Sequence, residues 1–261
     1  MDLDLTGRQA LVCGASEGIG RATAHELALL GANVTVLARR QNALDAVVAA
    51  LPRESGQVHR SVVGDMGDRE ALRTALAALV AEAPVHVLVN NTGGPPGGTV
   101  FDAEADAFID AFGKHVLANQ VLVQAVVPGM RAAGWGRIVN VVSTSVYEPI
   151  AGLGVSNTTR GAVASWAKTL SRELAPDGIT VNNVLPGYTE TGRIDQIVRD
   201  RVAATGQTEA DIRDAMRANV PVGRLARPEE TGGVIAFLCS PAAAYVTGVS
   251  LAVDGGRMAS I

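Results

Sequence analysis

The hydrophobic positions of this chain fall into short, nearly continuous apolar runs separated by longer amphipathic stretches. Seven runs read as strands: QALVCG (9–14), NVTVLAR (33–39), VHRSVVGD (58–65), VHVLVNN (85–91), RIVNVVS (137–143), ITVNNVLPG (179–187) and VSLAVDGG (249–256). A strand with one wet face alternates apolar and polar residues. Most of these runs do not alternate, which is the pattern of a parallel strand covered on both faces. The stretches between them are helical in pattern, as in GIGRATAHELALLG, which Gly31 closes as a C-cap. Strands separated by helices imply right-handed βαβ units. The expected fold is therefore α/β, a doubly wound parallel sheet of about seven strands with helices on both faces, and residues 1–261 form a single domain.

One segment departs from the alternation. Residues 192–219, GRIDQIVRDRVAATGQTEADIRDAMRAN, are charged, helical in pattern and without a strand. They read either as a solvated surface helix pair or as a lid over a pocket. Their position directly after the strand end at Pro186-Gly187 favours the lid, because ligands of such sheets sit beyond the carboxyl ends of the strands.

Composition narrows the function classes. Aromatics make up 3% of the chain, so the core has to be built from Ala, Val, Leu and Ile. A net charge of −4 gives no basic field for nucleic acid. No apolar run is long enough to span a bilayer, and the acidic start MDLDLTGRQA does not resemble a secretory signal, so a cytoplasmic location is expected. The two cysteines, Cys13 and Cys239, make no disulfide framework and no metal-ligand spacing; both read as small core residues, and no metal is expected.

Candidate chemistry begins at CGASEGIG, where Gly14, Gly18 and Gly20 follow the first strand and open the first helix. Glycines there allow a sharp turn and close approach of a phosphate, and the helix N-terminus offers free N–H groups to it. In this context the motif reads as a dinucleotide site. The second strand ends in Ala38-Arg39-Arg40, with no carboxylate to accept a ribose 2′-hydroxyl; two guanidinium groups favour a 2′-phosphate, hence NADP(H) over NAD(H). Glu17 in the glycine loop opposes that preference. Asp65 and Met66, after the third strand, are expected near the adenine, although Asp65 reads equally as a turn residue. Asn91, Thr92 and Gly93, after the fourth strand, suit close contact with the cofactor ribose.

With GASEGIG, NNTG, GRIVNVVS, ITVNNVLPGYTET, VPVGRLARPEE and YVTGVSLAVDGG in place, the chain resembles the classical short-chain dehydrogenase/reductase family, in the style of the 3-oxoacyl-acyl-carrier-protein reductases, over nearly its whole length. The resemblance implies a Rossmann fold, a nicotinamide cofactor and a homotetramer or homodimer. It implies cofactor contacts at Gly14, Ser16, Gly18, Ile19, Gly20, Asn91, Gly93, Pro186, Gly187 and Thr189.

The family's catalytic set is Asn, Ser, Tyr and Lys. Ser143 keeps the serine, but the tyrosine position holds Ser156, the lysine position Arg160 and the asparagine position His115. Lys168 lies about two helical turns beyond Arg160, too far to stand in. A serine hydroxyl is far too weak an acid to replace the phenol near neutrality, whereas Arg160 keeps a cation able to bond ribose hydroxyls. Tyr147, Tyr188 and His115 are the candidates to replace the missing acid, beside water or an enolisable substrate itself, and each residue also has a bland reading: pocket wall for the tyrosines, a structural hydrogen bond for the histidine. The loop TGGPPGG (92–98) departs from the family and points to a substrate other than its commonest one. Two functions stay open: an NADP(H)-dependent oxidoreductase acting on a small carbonyl or hydroxyl substrate with a non-standard proton donor, or a non-catalytic NADP(H)-binding sensor or scaffold. The oligomer is expected on the helices at 103–127 and 156–175, with Trp166 as an anchor.

Overall fold

The computed structural model describes residues 1–260. Its strands are β1 (Gln9–Cys13), β2 (Asn33–Ala38), β3 (Arg60–Val63), β4 (Val87–Asn90), β5 (Gly136–Val141), β6 (Ile179–Pro186) and β7 (Ser250–Val253). They form one seven-stranded parallel sheet in the order β3-β2-β1-β4-β5-β6-β7. The helices are α1 (Gly18–Leu29), α2 (Gln41–Ala50), α3 (Arg69–Glu82), α4 (Ala105–Phe112), α5 (Ala118–Ala133), α6 (Gly154–Leu174), α7 (Gly192–Thr205), α8 (Glu209–Ala218) and α9 (Pro228–Cys239).

The unbroken apolar runs are explained by two cores, one on each face of the sheet. Val12, Val34, Val36, Val87, Val89 and Val139 face the side packed by α1 and α9. Their neighbours Leu11, Cys13, Leu37, Leu88 and Ile138 face the side packed by α3, α5 and α6. Since successive strand residues point to opposite faces, a strand buried on both must be apolar at every position. Small residues bring α9 close to α1: a Cβ on Gly232 would lie 3.0 Å from the Ala22 carbonyl carbon.

Strand order reverses between β1 and β4. The loops leaving them diverge there and open a crevice at the carboxyl edge of the sheet. Beneath it runs a ladder of buried amides in register. Asn90 Nδ2 donates to Asn140 Oδ1 at 2.8 Å, Asn140 Nδ2 to Asn183 Oδ1 at 2.9 Å, and Asn183 Nδ2 to Ser250 Oγ at 3.0 Å. Four strands are tied at one level just under the site.

Two elements differ from the sequence expectation. The third strand begins at Arg60 rather than 58, because Val58 is exposed and His59 turns its ring inward to accept the Val34 N–H at 3.1 Å. The expected helix at 103–127 is interrupted by a π-helical turn, Gly113–Leu117, that carries His115. Such widened turns re-aim a side chain within a helix.

A candidate active site at the strand-order reversal

The crevice opens into a cavity of about 580 Å³, within the usual size of small-molecule and cofactor sites. One end is the glycine turn. Gly14 (φ +57°) leaves β1 in a left-handed conformation, and a Cβ on it would lie 2.6 Å from the Asn91 carbonyl oxygen. A Cβ on Gly20 would stand 2.3 Å from the Gly14 carbonyl oxygen. Neither position accepts a side chain. Glu17, at the N-cap of α1, makes no side-chain cap hydrogen bond, so the first N–H groups of the helix remain open to an anion. This cradle fits a dinucleotide pyrophosphate. Gly14, Glu17, Gly18, Ile19, Asn91, Thr92, Gly93, Pro186, Gly187 and Thr189 all line the cavity. Asn91 also holds the turn, its Nδ2 donating to the carbonyls of Cys13 (3.3 Å) and Gly14 (3.2 Å).

Ser16, Arg39, Arg40, Asp65 and Met66 are not in the cavity wall. Met66 is buried in the core. Asp65 accepts the Gly67 N–H at 2.8 Å, the turn role its sequence context allows. Arg40 donates to Glu17 at 2.9 Å on the surface, so the two residues that pulled the cofactor preference in opposite directions are paired with each other, while Arg39 is exposed.

At the other end stand the residues that the sequence resemblance puts in catalytic positions. Ser143 follows β5, and Ser156 and Arg160 project from α6; all three line the cavity. Ser143 Oγ accepts the Ser145 N–H at 3.1 Å, which fixes its rotamer and leaves its proton free to donate. Arg160 is 8% exposed. It donates to the Val141 carbonyl at 3.0 Å and, more distantly, to the Thr92 carbonyl at 3.5 Å. Burial, then the charge of Arg193, lowers its pKa from the ordinary 12.5 to about 10. Lys168 donates to the Gly248 carbonyl at 2.9 Å and takes no part.

The three candidate proton donors differ in position. Tyr147 is half exposed, lies outside the cavity wall and directs its hydroxyl to the Ser250 carbonyl at 3.5 Å, so the expectation that it faces the site is corrected. His115 is buried, and desolvation with the charges of Arg160, Lys114 and Arg193 drives its pKa down to about 2. It is a neutral imidazole at working pH and carries no imidazolium proton to give. Tyr188 is the tyrosine that lines the cavity, with the Arg257 guanidinium 4.6 Å over its ring.

Two features were not read from the sequence. Arg193, at the start of α7, crosses the crevice and donates to the Pro95 carbonyl at 2.8 Å. Arg257 joins the wall and donates to Thr144 Oγ1 at 3.1 Å. Nothing in the local patterns marks either; only the tertiary fold brings them to the cavity. The segment 192–219 folds as α7 and α8 around its own small core of Ile194, Val198, Ile212 and Met216, and α7 forms one side of the cavity. Trp166 donates to Gln120 at 2.9 Å and so ties α6 to α5, the two helices on which the oligomer is expected. Among the described residues, no helix is long and apolar enough to cross a membrane.

Comparison with known proteins agrees with this architecture. Residues 14–257 match the family model described as enoyl-(acyl carrier protein) reductase. A Streptomyces virginiae protein named as a ketoacyl reductase of the monensin polyketide synthase is 37% identical over 96% of this chain and 97% of its own. Dehydrogenase/reductase SDR family member 4 of Oryctolagus cuniculus is 34% identical over 97% of this chain and 94% of its own. The structure of L-sorbose reductase from Gluconobacter frateurii, complexed with NADPH and L-sorbose, superposes with a TM-score of 0.93 at 28% identity, covering 100% of both chains. A Rossmann-type sheet, a glycine turn that admits a dinucleotide and relatives matched from end to end lead to one assignment: the chain belongs to the short-chain dehydrogenase/reductase family and is an oxidoreductase of that type.

Proposed function

We propose that the chain is an NADP(H)-dependent oxidoreductase that interconverts a carbonyl and a hydroxyl group without the family's tyrosine–lysine pair. One observation carries the reading: the cavity that begins at the glycine cradle extends to Ser143, Ser156 and Arg160. A binding protein of the sensor type has no use for that second half. Solved relatives complexed with NADPH support the cofactor.

When bound, NADPH would supply a hydride to the carbonyl carbon. The chain's own groups act on the oxygen. Ser143 and Ser156 donate hydrogen bonds to it, and the buried cation of Arg160 stabilises the negative charge that develops as the carbon is reduced, an effect enlarged in a partly desolvated site. The proton that completes the hydroxyl comes from Tyr188, the phenol in the cavity wall, whose ring lies under the Arg257 guanidinium. The preference for NADP(H) rests on Arg39 and Arg40, with Glu17 as the partner a 2′-phosphate must displace from Arg40. We place α7 and α8 as a lid, the site of action in the cytoplasm, and the assembly as a homodimer or homotetramer formed through the exposed apolar residues Ile109, Phe112 and Leu117.

The test is NADPH oxidation against a panel of ketones, quinones and oxo acids by the parent protein and by Tyr188→Phe and Tyr147→Phe. Loss of about 100-fold in kcat for Tyr188→Phe alone, the usual worth of a positioned acid, supports the donor. Equal rates for both variants assign the proton to water. Tight NADPH binding with no turnover on any substrate favours the sensor.

A further inference from the structure

The catalytic half of the cavity carries more positive charge than hydride transfer to a neutral ketone requires. Arg160 and Arg193 converge on one point: a Cβ on Gly94 would meet Arg193 Nη2 at 3.4 Å and Arg160 Nη2 at 3.6 Å. Gly94, Arg160 and Arg193 all line the cavity, so the hollow beside Gly94 is walled by two guanidinium groups. The protein partners recorded for both are backbone carbonyls, Val141 and Thr92 for Arg160 and Pro95 for Arg193. Among the described residues, the ion pairs engage other arginines and leave Arg160, Arg193 and Arg257 without a carboxylate. Asp200 in the cavity wall acts on Arg193 only at longer range, Glu148 faces Arg257 in the same remote way, and Glu17 is taken by Arg40. His115 beside them is neutral. Two like charges held together, one of them almost wholly buried, are unfavourable until an anion lies between them. Each guanidinium has five N–H donors, so both retain donors for it.

We infer that this hollow receives a carboxylate of the substrate, so that the site acts on oxo acids and hydroxy acids rather than on neutral ketones. The inference rests on the proposed oxidoreductase reading and names the substrate class of that same site. Placement separates this anion from the cofactor's phosphates. The phosphate cradle is the turn after β1, whereas the two arginines close on carbonyls at the end of β5 and in the loop after β4, on the Ser143 side.

The experiment uses 4-oxopentanoate and its methyl ester, which differ in one negative charge. Calorimetric titration of both into the NADP⁺-loaded and the cofactor-free protein is paired with NADPH titration, in the parent chain and in Arg193→Met and Arg193→Lys. The acid is expected to bind at least about 10-fold tighter than the ester, as a charge-assisted hydrogen bond to a partly desolvated arginine gives. Arg193→Met should abolish the difference, Arg193→Lys should keep part of it, and the NADPH affinity of both variants should stay within about 3-fold of the parent. Equal binding of acid and ester overturns the inference, even if NADPH is bound and some ketone is turned over. A loss of NADPH affinity in Arg193→Met with the acid preference intact also overturns it, by giving the arginine to a cofactor phosphate. If neither nicotinamide cofactor binds but the cofactor-free protein still prefers the acid, the carboxylate hollow stands and the oxidoreductase reading falls.

Discussion

Replacing Arg160 by methionine separates a catalytic cation from a structural tie. The guanidinium is 8% exposed and meets no carboxylate, and its pKa falls from 12.5 to about 10. At roughly 1.4 kcal/mol per tenfold change, holding the charge there costs the folded state about 3 kcal/mol relative to an arginine in water. Against this stand the bond to Val141 at 3.0 Å and the weak one to Thr92 at 3.5 Å, together about 2 kcal/mol. Methionine fills a similar volume without a charge and adapts to irregular space. Arg160→Met should therefore match the parent in stability or exceed it by about 1 kcal/mol, the sign found when buried charges give way to apolar groups. Its turnover should fall by about 100-fold or more, the usual effect of losing one stabiliser of a developing oxyanion. Urea denaturation, compared at constant slope, reads the first quantity, and NADPH oxidation reads the second. A variant destabilised by more than about 2 kcal/mol with near-parental turnover would refute the reasoning and make Arg160 a tie between β5 and the loop after β4.

The remaining expectations concern the ladder, the histidine and the cofactor end. Asn140→Leu leaves the Asn90 amide and the Asn183 oxygen without their partners; a loss of about 3 kcal/mol in urea denaturation is expected, two unsatisfied buried groups costing 1–3 each. His115 has a folded pKa pushed from 6.5 down to about 2, so the unfolded chain binds a proton that the fold excludes. Its contribution to stability is complete above about pH 6.5 and declines as pH falls, by about 2 kcal/mol at pH 5. Comparing urea midpoints at the two pH values in the parent and in His115→Asn isolates this term; an unchanged pH dependence in the variant would refute it. Glu17→Gln releases Arg40 from its exposed ion pair and should tighten NADPH binding by about 3-fold with little effect on NADH, while Arg40→Ala should weaken NADPH about 10-fold; fluorescence titration checks both.

The fold was legible because two-sided burial leaves so plain a trace. Runs such as VLVN and ITVNNVLP have few polar positions, and each became a strand covered on both faces. The glycine turn was legible for a related reason: Gly14 and Gly20 stand where no side chain fits, a local requirement the sequence must satisfy. What escaped depends on contacts between distant segments. Arg193 and Arg257 reach the cavity from α7 and from the end of the chain, and their surroundings look like ordinary charged surface. The asparagine ladder recurs in VLVNN, RIVNVV and TVNNVL, yet only strand register brings Asn90, Asn140 and Asn183 side by side. Tyr147 was placed toward the site because it closely follows Ser143; the short helical turn at Thr144–Val146 carries it outward instead.

The central claim is that an intact dinucleotide cradle serves a catalytic half whose acid has changed. The most direct test is a titration of the purified protein with NADPH and NADH, followed by addition of an oxo acid while the reduced-nicotinamide absorbance is recorded. The account predicts saturable NADPH binding, weaker NADH binding and a fall in absorbance that depends on protein and oxo acid together. Failure to bind either nucleotide would contradict it at the root, and tight binding without turnover on oxo acids and ketones alike would leave a cofactor-binding protein in place of an enzyme.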